Sequence, residues 1–127
     1  MVMLERSFET QLNDLWEAVL NLTLPGEDQV QLLDAMGDST AIDELALALD
    51  DSFWTVNEGF TRNQLSRDEL NALNKLNACL NRMSGEDKAD VWTVDALKCS
   101  DDWQEVRQLA TQAILSRQIS RVQRASA

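Results

Sequence analysis

The side chains with chemical potential in this sequence are carboxylates, and they have no histidine to work beside. Without an imidazole there is no unperturbed base that titrates near neutrality, no Ser-His or Cys-His nucleophile pair, and no supply of the commonest transition-metal ligand. Tyrosine is absent too, which removes a further acid-base group. No Gly-rich phosphate loop, dinucleotide fingerprint or EF-hand pattern occurs. The adjacent acids Asp50-Asp51 and Asp101-Asp102 point in different directions once placed on a helix, so neither pair converges on a substrate. Cys79 and Cys99 lack metal-ligand spacing and read as small buried hydrophobes rather than as a disulfide. The expectation is a protein that is not an enzyme and uses no cofactor or metal. A carboxylate-only enzyme gathered from several helices is the one catalytic alternative.

The acids are unevenly placed. Residues 1–60 hold thirteen acids and one base, Arg6, for a net charge of −12, whereas residues 61–127 net +1. Clustered carboxylates repel one another, so their segregation hints at a field aimed at a basic partner that steers encounter. The same acids also read as a solvated surface without a partner. A net charge of −11 argues against direct binding to DNA or RNA. Arg117, Arg121 and Arg124 share one face of the last helix, where they complement the negative end of its dipole.

Helices must carry these groups. Leu4, Phe8, Leu12, Leu15, Trp16, Val19 and Leu22 recur at spacings of three and four, which predicts an amphipathic helix from about residue 3 to 22. Pro25-Gly26 ends it, and Glu27 and Asp28 suit the start of a second, short helix that stops at Gly37. Asp38 or Ser39 caps a third, with Ile42, Leu45 and Leu49 on one face and Ala41, Ala46, Leu47 and Ala48 around the rest. Apolar nearly all round, it is expected at the centre of the bundle. Ser52 starts a further short helix with Phe53, Trp54 and Val56, closing near Gly59. Ser66-Arg67-Asp68-Glu69 is a capping box, followed in register by Leu70, Leu73, Leu76, Leu80 and Met83, with Gly85 as a left-handed stop. After a polar loop, Thr93 opens a short helical turn through Leu97, and Ser100 caps the last long helix, fraying from Gln123 to Ala127.

No run alternates as a strand should, so the chain is expected to be all-α: a single domain over residues 1–127, a bundle of five to seven helices. The amino terminus lacks the pattern of a secretory signal, and no window approaches the roughly 18 apolar residues of a membrane span. A cytoplasmic location without membrane contact is the expectation. Trp16 and Trp103 fall on apolar stripes and read as core. Phe53 and Trp54 are rotated by about 100° from each other and cannot both face inward. Trp54 beside Asp50, Asp51 and Glu58, and Leu47 between Asp43 and Asp50, are apolar anchors ringed by charge, although core packing explains each as well.

Val91-Trp92-Thr93-Val94-Asp95-Ala96-Leu97, then Asp102-Trp103-Gln104-Glu105-Val106-Arg107-Gln108-Leu109-Ala110 and Ile114-Leu115, resembles the carboxyl-terminal region of small bacterial immunity proteins. These neutralise the toxins of contact-dependent growth inhibition and related polymorphic systems. The pattern, a tryptophan and then W-x-x-(V/I)-R-x-x-A in a terminal helix, covers about a quarter of the chain. The resemblance implies that the chain binds the toxic domain of its own system's effector, a basic nuclease domain, and blocks it. It implies scaffold roles for Trp92, Trp103 and Arg107. Toxin contacts are then expected on the acidic half, at Asp34, Asp38, Asp43, Glu44, Leu47, Asp50, Asp51, Trp54 and Glu58. The alternative is a helical adaptor or secretion chaperone that binds a partner helix in an apolar groove.

Overall fold

A computed structural model describes the backbone of residues 2–38, 41–58 and 65–126, and the side chains of 10–38, 41–53, 65–85 and 87–122. Among the described residues there are six α-helices, one 3-10 turn and no strand, so the all-α expectation holds. The first helix, α1 (Val2–Thr23), buries Leu15, Trp16, Val19 and Leu22 while Asn13 and Glu17 stay exposed. Pro25 sits at the N-cap of α2 (Gly26–Ala35), where its missing N–H costs nothing. Gly37 closes α2 with φ +115°, a conformation that other L-residues resist, and the Asp38 amide reaches back to the Leu33 carbonyl at 3.1 Å.

Two expectations about the next segment are corrected. The third helix, α3 (Asp43–Glu58), runs unbroken through Ser52. Ile42, Leu45, Leu49 and Phe53 form one continuous buried stripe, and neither glycine nor proline interrupts it, so the serine has no helix end to cap. Nor is α3 central. It rests on α1 at the edge of the bundle, with Leu47 45% exposed and Ala48 exposed. Alanine offers little area to bury, so an apolar circumference made largely of alanine does not draw a helix inward. Of the two expected caps, Asp38 lies five residues before the start of α3, too far to be its N-cap, and Ser39, like the expected stop Gly59, lies outside the described residues.

The capping box forms as read. The Ser66 amide donates to Glu69 Oε1 at 2.8 Å and the Glu69 amide donates to Ser66 Oγ at 3.1 Å, opening α4 (Arg67–Arg82). Ser66 Oγ also pairs with Ser120 Oγ at 2.8 Å, tying this corner to the last helix. Gly85 is not the expected left-handed stop: α4 closes at Met83, and Gly85, at φ −70°, begins a 3-10 turn over Glu86–Val91 in the segment read as a polar loop. Thr93 Oγ1 accepts the Ala96 amide to start α5 (Val94–Cys99), and Ser100 Oγ accepts the Trp103 amide at the head of α6 (Asp101–Ser126). The helical backbone of α6 passes Gln123 and continues to Ser126. Only one cysteine fits its expected burial: Cys79 is buried, Cys99 is exposed, and both are free thiols.

The long α6 packs against both α1 and α4, and α3 lies against α1. Helices α2 and α5 pair with each other and α5 abuts α6. A β-carbon on Gly26 would come within 2.7 Å of the Leu97 carbonyl oxygen and the Lys98 Cα, so the α2–α5 approach needs a glycine there. By contrast α3 and α4 touch only lightly, and a gap opens between them.

Candidate partner-binding groove

That gap is a groove of about 580 Å³. From α3 it takes Asp43, Ala46, Leu47 and Asp50, which the helical period places on one stripe two turns long. From α4 it takes Asn77, Leu80 and Asn81, and Ser84 extends this second stripe just past the helix end. Ala89 and Trp92 complete the lining from the 3-10 turn and its carboxyl-terminal edge, and the buried Ile42 reaches it from the start of α3. The floor is apolar. Its charged lining is acidic only, from Asp43 and Asp50.

Polar groups in the groove divide into those already engaged and those left open. Ser84 Oγ donates to the Leu80 carbonyl at 3.0 Å, and Trp92 Nε1 donates to the Met83 carbonyl at 2.7 Å. The Trp92 ring stands edge to face with Trp103, centroids 5.4 Å apart and planes at 88°. Its orientation is therefore fixed from behind. Among the described residues the ion pairs are Arg82–Glu105 and Lys88–Asp102, so Asp43 and Asp50 belong to neither. An acid without an internal counter-charge beside an apolar floor suits an external cation.

The nine residues expected at a partner surface do not form one face. Asp43, Leu47 and Asp50 line the groove together. Glu44, exposed, sits one position round α3. Asp51 turns to the other flank, where it lines a shallow depression with Asp14, Glu17 and Asn21 of α1. Asp34 is exposed on α2, and Asp38 is exposed in the turn that follows Gly37. The side chains of Trp54 and Glu58 lie outside the described residues, whereas Phe53 is buried. Missed altogether were Asn77, Asn81, Ser84 and Ala89. The spacing of Asn77, Asn81 and Ser84, four and then three residues, marks a helix face of small polar side chains and was the available signal.

The motif residues near the carboxyl terminus are engaged internally. Trp103 is fully buried and donates Nε1 to the Val91 carbonyl at 2.6 Å. Arg107 donates through Nη1 and Nη2 to the Leu97 carbonyl at 3.0 Å, and through Nη1 to Oε1 of buried Gln29 at 3.1 Å. Burial pushes the Arg107 guanidinium below its usual value, and the Cys79 thiol above its own, against a hydrogen bond from Arg82. Arg117 lies over the Trp16 ring at 5.1 Å. No group of three or more His, Cys, Asp or Glu side chains able to hold a metal ion occurs among the described residues. No described helix is long and apolar enough to cross a membrane. No family model, no curated protein and no solved structure matches this chain.

Proposed function

We propose that this protein is an immunity-type inhibitor that binds a basic toxic domain, of the nuclease kind, through the exposed face of α3 and the groove beside it. It acts by occupancy rather than catalysis, needs no cofactor, and works in the cytoplasm where such a toxin would strike. The observation that carries the reading is the alignment of Asp43, Leu47 and Asp50 on one stripe over an apolar floor. An apolar anchor between acids is the usual composition of a binding centre for a cationic surface. The resemblance around Trp92, Trp103 and Arg107 points to a toxin as the class of partner, and the concentration of acids in residues 1–60 agrees with a basic one.

The test is co-purification of the tagged chain from its native cell at low salt, with elution at high salt and mass spectrometry of what is released. The expected result is a basic toxin fragment that the double variant Asp43→Lys/Asp50→Lys no longer retains, with circular dichroism unchanged. Normal retention by that variant at low salt would remove the acidic stripe from the interface. A second reading, a helical adaptor for a partner helix, is favoured by the apolar floor at Ile42, Ala46 and Leu80. Binding indifferent to salt would put it first.

A further inference from the structure

We infer that the α3–α4 groove receives an amphipathic α-helix of the basic partner, with one large apolar side chain on the groove floor and two Lys or Arg side chains reaching Asp43 and Asp50. The inference rests on the basic-partner reading above and adds the form of the segment that docks.

Three observations lead to it. Asp43 and Asp50 stand seven residues apart on one helix, about 10 Å along its axis. One guanidinium or ammonium cannot touch both, whereas two basic side chains two turns apart on a docked helix can. Between them Ala46 is small, and Leu80 with the Trp92 ring makes an apolar floor that a partner's leucine or phenylalanine would keep dry. The third point is the backbone of the occupant. An extended segment would bring a continuous row of unpaired N–H and C=O groups into the groove; the Asn77 and Asn81 amides can meet a few of them, but Ala46 and Leu80 offer nothing and the described residues include no strand edge to pair the rest. A helix satisfies its own backbone and presents only side chains. The charge also selects: every charged group lining the groove is an acid, so the occupant's flanks are basic.

The volume sets the depth of insertion. A space of about 580 Å³ accepts the side chains of one helix face but not a whole helix, whose diameter with side chains is about 10 Å. The partner helix therefore lies across the mouth, between α3 and α4, as a third ridge packed on two.

The probe is a synthetic, fluorescein-labelled helical peptide with two arginines two turns apart and a leucine between them on the same face, read by fluorescence anisotropy at low and high salt. Binding at low salt is expected, weakened by about tenfold or more in Asp43→Lys/Asp50→Lys, which corresponds to a loss of about 1.4 kcal/mol. Filling the floor with Ala46→Trp should abolish it. Because that variant can fail to fold, Asn81→Trp on the exposed rim serves as the second block, and circular dichroism establishes that it is folded. A scrambled peptide of equal charge that breaks the common face should lose the binding. Equal binding by the scrambled peptide, or no effect of either tryptophan in a folded variant, would overturn the inference. Release of the native partner by the lysine pair, with no effect of the tryptophans, would sink the helix while sparing the acidic stripe. Indifference of the native partner to the lysine pair would sink the acidic-stripe reading itself.

Discussion

At the junction of α2, α5 and α6 the polar side chains face inward and meet one another. Arg107, Gln29 and the Leu97 carbonyl close a small network, and the indole N–H groups of Trp92 and Trp103 hold the carbonyls of Met83 and Val91. Next to it, between α3 and α4, where Trp92 also lines the groove, the arrangement is the reverse: helices that touch lightly, small residues where large ones would close the gap, and acids in the lining. The first region uses its polar atoms to hold short elements that could not otherwise keep a position, α2, the 3-10 turn and the six-residue α5, against the long α6. The second leaves hydrogen-bonding and charge capacity facing outward. Residue type alone does not distinguish them; what differs is whether partners lie inside the same chain.

The sharpest way to break this contrast is truncation on each side. Trp103→Ala removes a fully buried indole and orphans the Val91 carbonyl, at a cost of about 3–5 kcal/mol, read from the urea midpoint. Leu47→Ala, on a side chain 45% exposed, should stay within about 0.5 kcal/mol of the parent. Comparable losses at both positions would mean that the groove wall is structural rather than a surface held for a partner.

Next in size is the guanidinium. Arg107→Ala leaves Oε1 of buried Gln29 and the Leu97 carbonyl without their donor, and should cost about 2–3 kcal/mol. Arg107→Lys should recover only part of this, because an ammonium on a flexible stem does not reproduce the planar fork that meets two acceptors on different elements. Amide exchange should quicken first in α2 and α5, the elements that the fork joins. Uniform quickening across α3 and α4 as well would show that the two regions are coupled.

These same regions differ in how far they could be read from the amino-acid order. Caps are local, so Ser66 with Glu69, Thr93 and Ser100 were legible from neighbours three residues away. Trp103 and Trp16 declared their burial through helical phase. The unbroken α3 was not legible, because Ser52 carries a cap preference that the buried stripe through Phe53 outweighs. Gly85 was misread for a related reason: a glycine after a helix can begin the next element as readily as end the last. Of the groove, sequence supplied one wall. Asp43, Leu47 and Asp50 share a helix and hence a period, but Asn77 and Asn81 lie on another helix, and nothing local links them. The division of Asp50 from Asp51 was foreseeable from the 100° step; its consequence, one acid in the groove and the other on the α1 flank, needed the packing of α3 on α1.

The smallest expected effect separates the two groove acids themselves. Asp43 occupies the first turn of α3, where a carboxylate is favoured by the positive end of the helix dipole. Asp50 lies in the middle of α3, where no such compensation exists, beside Asp51. Removing each charge by an asparagine should therefore cost about 0.3–1 kcal/mol at Asp43 and stay within about 0.5 kcal/mol of zero at Asp50, in thermal or urea unfolding at low salt. Added salt should shrink the difference, since both carboxylates are exposed. Binding of the arginine peptide should not follow this order: if both acids serve the partner, the two asparagine variants weaken it alike. A loss confined to Asp43→Asn would instead mean that this carboxylate acts by holding the start of α3, and that the groove takes its cation at that end alone.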